Sequence, residues 1–403
     1  MSVDTHADSE ERGVFGVSPL LRLVVLQPTP FCNIDCSYCY LPHRSSTARM
    51  SSGVLEMAWR SICSAPFLGT RLDVAWHAGE PLVLPVSWYE DAVVGMARHT
   101  PPDLVVTHCF QTNGLLLDDE WAVFLARLGA RVGLSIDGPA DIHDRHRRTR
   151  AGGGTHADAM RAVRVLQDHS VPFHVISVLT AASLDEPDRL FAFYEQNGIR
   201  DVGFNVEEIE GAHNASSLAG TEARFRRFLA RFLSLVWSRP GVVRLREAES
   251  TLAALLSAAP IVDEQNQPFA IVTIGVDGTL STFSPELLGT RHERFAGFAF
   301  GNVAQGSLDG LMDDSAFRRV ASEIRQGVES CAGTCRYFRW CGGGAPANKL
   351  FETGRFDATE TMHCRLIQQA MLDEVLTQIE THAGGLLVAQ TESEGLISKE
   401  GSS

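Results

Sequence analysis

The segment Phe31-Cys32-Asn33-Ile34-Asp35-Cys36-Ser37-Tyr38-Cys39-Tyr40 stands just beyond the apolar run Leu21–Gln27. Its three cysteines are separated by gaps of three and two residues. Thiolates are the usual ligands of iron–sulfur clusters. Three of them can hold three irons of a cubane and leave the fourth iron open. That iron can then chelate the amino and carboxylate groups of a methionine moiety. Spacing alone leaves zinc as an alternative, with His43 as the nearest fourth ligand, although structural zinc sites take four closed ligands.

Outward from this segment, short β-rich runs alternate with helical periodicity. Strands are predicted at Leu21–Gln27, Leu72–Trp76, Val105–Phe110, Val132–Ile136, His174–Leu179 and Val202–Val206. Helices are predicted between them, for example at Gly53–Cys63, Asp119–Leu128, Ala157–Gln167 and Glu186–Gln196. Such alternation implies an α/β fold with a parallel sheet. Each strand ends in polar or Gly-rich sequence: the cysteines, His77–Pro81, Gln111–Gly114, Asp137–Pro139, Thr180, then Glu207 and Glu208. Barrel active sites sit at the carboxyl ends of strands. We therefore expect a partial, TIM-like (β/α)6 barrel over residues 19–240, open on one side for a large substrate. A loose arm (1–18) precedes it. A helical connector (241–264), a C-terminal unit (265–380) and a disordered tail (381–403) follow. The C-terminal unit opens on a hairpin turning at Asp277-Gly278.

Bulk properties narrow the class. The 403 residues carry a formal net charge of -14. An acidic surface disfavours nucleic acid and anionic membranes as partners. No run is apolar enough for a transmembrane helix, and the N-terminus lacks signal-peptide character. A cytoplasmic location is expected. The nine cysteines are then unlikely as disulfides. Three crowd at Cys32–Cys39 and four more are Cys331, Cys335, Cys341 and Cys364, a distribution that points to metal. Cys63 and Cys109 stand apart and read as core thiols.

With its aromatic residue before the third cysteine, the first segment resembles the radical S-adenosylmethionine superfamily. His77-Ala78-Gly79-Glu80-Pro81 is similar to that family's Gly-Gly-Glu-Pro motif, with Ala78 in place of the first glycine. The resemblance implies that Cys32, Cys36 and Cys39 hold a [4Fe–4S] cluster that binds and reductively cleaves S-adenosylmethionine. It also implies that His77, Gly79, Glu80 and Pro81 receive the methionine amino group, an acceptor-only carboxylate suiting an ammonium. Gln111–Gly114 and Ser135–Pro139 resemble the next strand-end motifs and place Asn113, Ser135 and Asp137 near the ribose and methionine carboxylate. The basic stretch His143–Arg147 either contacts a carboxylate or is solvated.

Cys331, Cys335 and Cys341, followed by Gly342-Gly343-Gly344 and later by Cys364, resemble the SPASM extension, which carries auxiliary clusters. Phe283 and Ala345 stand where the family usually has cysteines of a first auxiliary cluster. One auxiliary [4Fe–4S] cluster on Cys331, Cys335, Cys341 and Cys364 is therefore expected, with closed-site zinc as the alternative from spacing. Residues 282–287 and 341–366 resemble the cyclophane-forming peptide maturases of the GrrM/OscB type. That implies a ribosomally made precursor peptide as substrate and an external one-electron reductant of flavodoxin or ferredoxin type. It implies a C–C bond between an aromatic ring and a nearby β-carbon, with Glu286 as general base. The alternatives are an anaerobic sulfatase maturase forming formylglycine and a non-catalytic Fe–S redox or binding protein.

Overall fold

A computed structural model describes residues 20–381 apart from 296 and 307. The arm expected over 1–18, and the expected tail beyond residue 381, lie outside the described residues. The first six strands are β1 (Leu21–Leu26), β2 (Leu68–Trp76), β3 (Val105–Thr112), β4 (Arg131–Ser135), β5 (Phe173–Leu179) and β6 (Asp201–Val206). All neighbours among them pair in parallel, in chain order. Helices α1 (Ser52–Cys63), α2 (Val86–Ala97), α3 (Asp119–Leu128), α4 (Ala140–His146), α5 (His156–Asp168), α6 (Pro187–Gln196) and α7 (Glu222–Ser238) fill the crossovers. This is the partial (β/α)6 barrel expected from the alternation.

Local chemistry fixes the helix ends. The Ser51 hydroxyl accepts from Val54 N at the start of α1. Asp118 does the same for Trp121 N in α3, which stops at the left-handed Gly129. The strands bury Val24, Val74, Phe110 and Val132 beneath the helices, as parallel sheets covered on both faces require. Trp76, Tyr89, Phe110, Trp121 and Phe124 interlock there, mostly edge to face.

The chain after residue 240 departs from the separate units expected. A short strand β7 (Arg244–Leu245) pairs with β6 before α8 (Arg246–Leu256) begins. The hairpin β8 (Ile271–Ile274) and β9 (Thr279–Thr282) does not stand alone. Strand β8 pairs in parallel with β1, from Leu23↔Ile271 to Leu26↔Ile274. Strand β10 (Gly301–Asn302) completes one ten-stranded sheet, ordered β10-β9-β8-β1-β2-β3-β4-β5-β6-β7. The reason lies in β8, which is buried on both faces and needs neighbours on both sides.

The cysteine-rich end is helical: α9 (Ser315–Thr334), α10 (Phe338–Cys341), α11 (Pro346–Thr353) and α12 (residues 362–381). Within α12 the segment Cys364–Ala370 is a π-helix, a form that recurs at functional sites. Among the described residues, no helix is long and apolar enough to cross a membrane.

Candidate functional site

The three N-terminal cysteines sit in the loop that leaves β1. Backbone bonds hold that loop from two sides. Cys32 N donates to Arg44 O, and Glu80 N donates to Phe31 O. Asp35 N donates to Arg148 O, and Ser37 N to His146 O. Arg150 Nε donates to Cys32 O at 2.9 Å while its guanidinium lies over the Phe31 ring. The three sulfurs lie within each other's electrostatic reach. Burial pushes the Cys32 thiol up to about 12, with the Glu80 charge adding to it, and Cys36 up to about 11. Such thiols ionise only beside strong positive charge. Iron supplies that charge, so the donor set fits the cluster.

Glu80 stands at the end of β2 and is 1% exposed. Its Oε1 accepts from Leu82 N and Thr112 Oγ1, and its Oε2 accepts from Asn113 N. Burial nonetheless raises its pKa to about 7. Its Oε2 keeps acceptor capacity for an ammonium. The backbone before it is strained: Ala78 has φ 69 and Gly79 φ 82. A Cβ on Gly79 would stand 2.5 Å from Thr29 O and 2.7 Å from Phe31 O. Asn113 bridges to the cysteine loop through Asn33 Oδ1 at 2.7 Å. Ser135 Oγ accepts from Gln111 Nε2 at 3.1 Å. His77 Nε2 meets the Tyr40 hydroxyl at 3.2 Å, its Nδ1 has no partner, and burial lowers its pKa to about 4.

Asp137 stands just past β4. It is 1% exposed, and its carboxylate is committed inside the protein. Tyr38 Oη, Arg147 Nε and Val178 N all donate to it. It thereby ties the cysteine loop to β5. The basic stretch divides: Arg147 is buried against Asp137, and Arg145 is exposed. Arg147 thus takes the carboxylate contact that was one of the two readings of its stretch, while Tyr38 was not legible as a site residue, because Asp137 is remote from it in sequence.

Carboxylates gather beyond β6, next to Tyr40. Asn348 Nδ2 donates to Glu208 Oε2 at 2.6 Å and to Glu210 Oε1 at 3.1 Å. Burial, then the charges of Glu208 and Glu286, raise the Glu210 carboxyl well above its ordinary value. Glu286, on a 3-10 turn after β9, is pushed up to about 7 by burial, with Glu208 adding to it. The Tyr40 hydroxyl is raised by burial and then by Glu286 and Glu210. Glu286 therefore lies within electrostatic reach of Tyr40, the residue that follows Cys39. Glu286 was expected here from the resemblance and Glu208 from its strand-end position, whereas Glu210 and Asn348 carried no signal in the sequence.

The other four cysteines line one chamber with Lys349 and Gly343. Burial pushes Cys341 up to about 12, with Cys364 and then Asp263 adding to the rise. Cys364 feels Cys335 in turn. Four thiolates around one chamber are the donor set of a [4Fe–4S] cluster. Phe283 is fully buried where a further cysteine would be usual in the resembled family. It stacks on Phe317, which stacks on Phe269, which stacks on Phe67. That aromatic column fills the space. Cys63 and Cys109, expected as core thiols, are only partly buried, on α1 and β3.

Comparison with known proteins follows the same lines. Residues 26–194 match the family described as the Radical SAM superfamily. The chain is 40% identical to the uncharacterised protein sll1766 of Synechocystis sp., over 90% of this chain and 93% of that one. It is 25% identical to the serine-type anaerobic sulfatase-maturating enzyme of Bacteroides thetaiotaomicron, over 80% and 81% of the two chains. Among solved structures, native anSMEcpe with bound AdoMet and Cp18Cys peptide aligns with a TM-score of 0.73 at 20% identity. That alignment covers 91% of this chain and all of that one. SuiB of Streptococcus suis bound to precursor peptide SuiA aligns with a TM-score of 0.62 at 14% identity, over 85% and 76%.

Proposed function

We propose, on the premise that this chain belongs to the radical SAM superfamily, that it modifies a ribosomally made precursor peptide. The modification is a C–C bond between an aromatic ring and the β-carbon of a nearby residue. The chain is a radical SAM enzyme whose cofactors are a [4Fe–4S] cluster with S-adenosylmethionine and an auxiliary cluster. When bound, that cluster and S-adenosylmethionine supply one-electron reductive cleavage and a hydrogen-abstracting radical. Cys32, Cys36 and Cys39 are assigned to it, and Cys331, Cys335, Cys341 and Cys364 to the auxiliary cluster. Glu80 Oε2, beside the backbone of His77, Gly79 and Pro81, receives the methionine ammonium. Asn113 and Ser135 border the same space. Asp137 contributes by holding Tyr38 and Arg147, and so by fixing the cysteine loop.

The observation that carries the reading is Glu286. A ring that has gained a new bond must lose one proton and one electron to regain aromaticity. A carboxylate with a pKa of about 7, within electrostatic reach of the residue after Cys39, is matched to take that proton near neutral pH. Coexpression with the precursor peptide tests the reading: the product mass falls by one pair of hydrogens, and tandem fragmentation shows a ring-to-β-carbon linkage. Glu286→Gln is expected to keep 5′-deoxyadenosine release and lose crosslinked product. Unchanged product yield removes Glu286 from the mechanism.

A second reading, formylglycine formation on a sulfatase, draws support from the sulfatase-maturating relative and the anSMEcpe fold. Against it stand Phe283 and Ala345 in place of cysteines. A sulfatase-derived Ser or Cys peptide offered to the enzyme decides: an aldehyde trapped by a hydrazide supports this second reading.

A further inference from the structure

Lys349 is one of the few fully buried lysine or arginine side chains, with 3% of its surface exposed. It projects from α11, just past the turn made by Gly342, Gly343 and Gly344. Its Nζ lies 3.5 Å from Cys331 Sγ. The passage for this side chain is cut into α9 by Gly327, where a Cβ would collide with Phe356 O and stand 3.1 Å from Nζ. Buried charge is costly without a partner. Asp263, a carboxyl raised by burial, feels the Lys349 charge only weakly, after a backbone hydrogen bond and His363. The partner that geometry gives to this cation is a sulfur. A second donor meets another of the four sulfurs: Gln369 Nε2 donates to Cys364 Sγ at 3.5 Å.

We propose that Lys349 raises the reduction potential of the auxiliary cluster and so fits it to accept an electron. The inference rests on the assignment of Cys331, Cys335, Cys341 and Cys364 as that cluster's ligands. The physics is differential. A cluster held by four thiolates is anionic, and reduction adds one further negative charge. A fixed ammonium at hydrogen-bond range of a ligand sulfur stabilises the more negative state more than the less negative one. The interaction is strong because the site is dry. Net charge and hydrogen bonds to sulfur are the terms that set cluster potentials. One electron enters and no bond forms or breaks. In turnover, that electron is the one the substrate adduct gives up as Glu286 takes its proton. Lys349 acts through the cluster and touches no substrate.

The test isolates the auxiliary cluster in a background with Cys32, Cys36 and Cys39 all replaced by Ala. Reconstituted parent, Lys349→Met, Lys349→Gln and Lys349→Arg are compared by iron and sulfide content and by EPR-monitored redox titration. The parent is expected to bind about four irons and as many sulfides, as a [4Fe–4S] cluster requires. The midpoint should shift to more negative potential in Lys349→Met and Lys349→Gln, by more than the scatter between replicates. It should stay near the parent in Lys349→Arg. Equal midpoints in all variants overturn the proposal while leaving the ligand assignment intact. Loss of iron from every variant, with a loaded parent, also overturns it and makes Lys349 structural. A parent that takes zinc or no iron sinks the assignment itself, and the proposal with it.

Discussion

Ala78 shows what a single residue reveals that a motif does not. The motif has glycine at this place, and the structure explains why: φ is 69, a region costing a side chain about 1–2 kcal/mol. Ala78→Gly should raise stability by up to about 1 kcal/mol once glycine's own entropy loss is set against the strain. A thermal melt of the two proteins checks this. Gly79→Ala should go the other way and strip iron from the N-terminal site, because its Cβ has nowhere to stand. Glu286 makes a pH prediction. Its folded pKa is raised from 4.5 to about 7, so the folded state holds more protons than the unfolded state across that window. Its stabilisation is fully present below about pH 4.5 and is lost as pH rises through about 7. The Glu208 charge pushes in the same direction. Glu286→Gln should therefore be more stable than wild type above pH 7, on the order of 3 kcal/mol, and equal to it near pH 4.5. Melts across this range decide; a constant difference removes the linkage. Cysteine spacing was legible at this scale. The engagement of Asp137 was not, because its partners Tyr38, Arg147 and Val178 come from three different segments.

At the scale of elements, the strand–helix rhythm carried well, because period and caps are local. Asp119–Leu128 was read to the residue. The hairpin was found from its Asp-Gly turn, but its docking on β1 was not, since pairing between residues 23 and 271 leaves no mark in either stretch alone. The sequence did mark Phe283 as the replacement of a cysteine, and the structure supplies the consequence. Phe283 completes the column with Phe317, Phe269 and Phe67 that roots the hairpin on α9. Truncating a buried phenylalanine costs about 3–5 kcal/mol. Phe283→Ala should lose about that much in chemical denaturation, because the neighbours are rings that cannot collapse into the space. Phe283→Cys should be similarly destabilised. It should bind no further iron, since Ala345 leaves a second ligand missing. Extra iron in that variant would show that the column is a yielding filler.

The whole molecule turns on β1. This strand delivers the cysteine loop at its carboxyl end, pairs with β2 on one side and carries β8 on the other. The far end of the chain returns to the barrel as well. Arg365 Nε meets Glu222 at 3.1 Å, Arg226 meets Asp373 at 2.9 Å, and Asn348 holds Glu208. The sequence suggested a barrel, a connector and a C-terminal unit, because the strand–helix alternation ends near residue 240. A boundary in sequence pattern is not a boundary in cooperativity. If the sheet is continuous through β1, neither half has a complete core when the other unfolds, and the two cannot melt independently. Disrupting the auxiliary site should then be felt at the N-terminal one. Cys364→Ala is expected to lower the melting temperature of the whole chain and keep a single transition. The near-ultraviolet signal should change in step with the far-ultraviolet one, since Trp76 and Trp121 lie in the barrel and Trp340 beside Cys341. Two resolved transitions, with the barrel's at its wild-type temperature, would instead mean that β1 and β8 part without cost. The C-terminal unit would then be a domain in the thermodynamic sense as well as in sequence pattern.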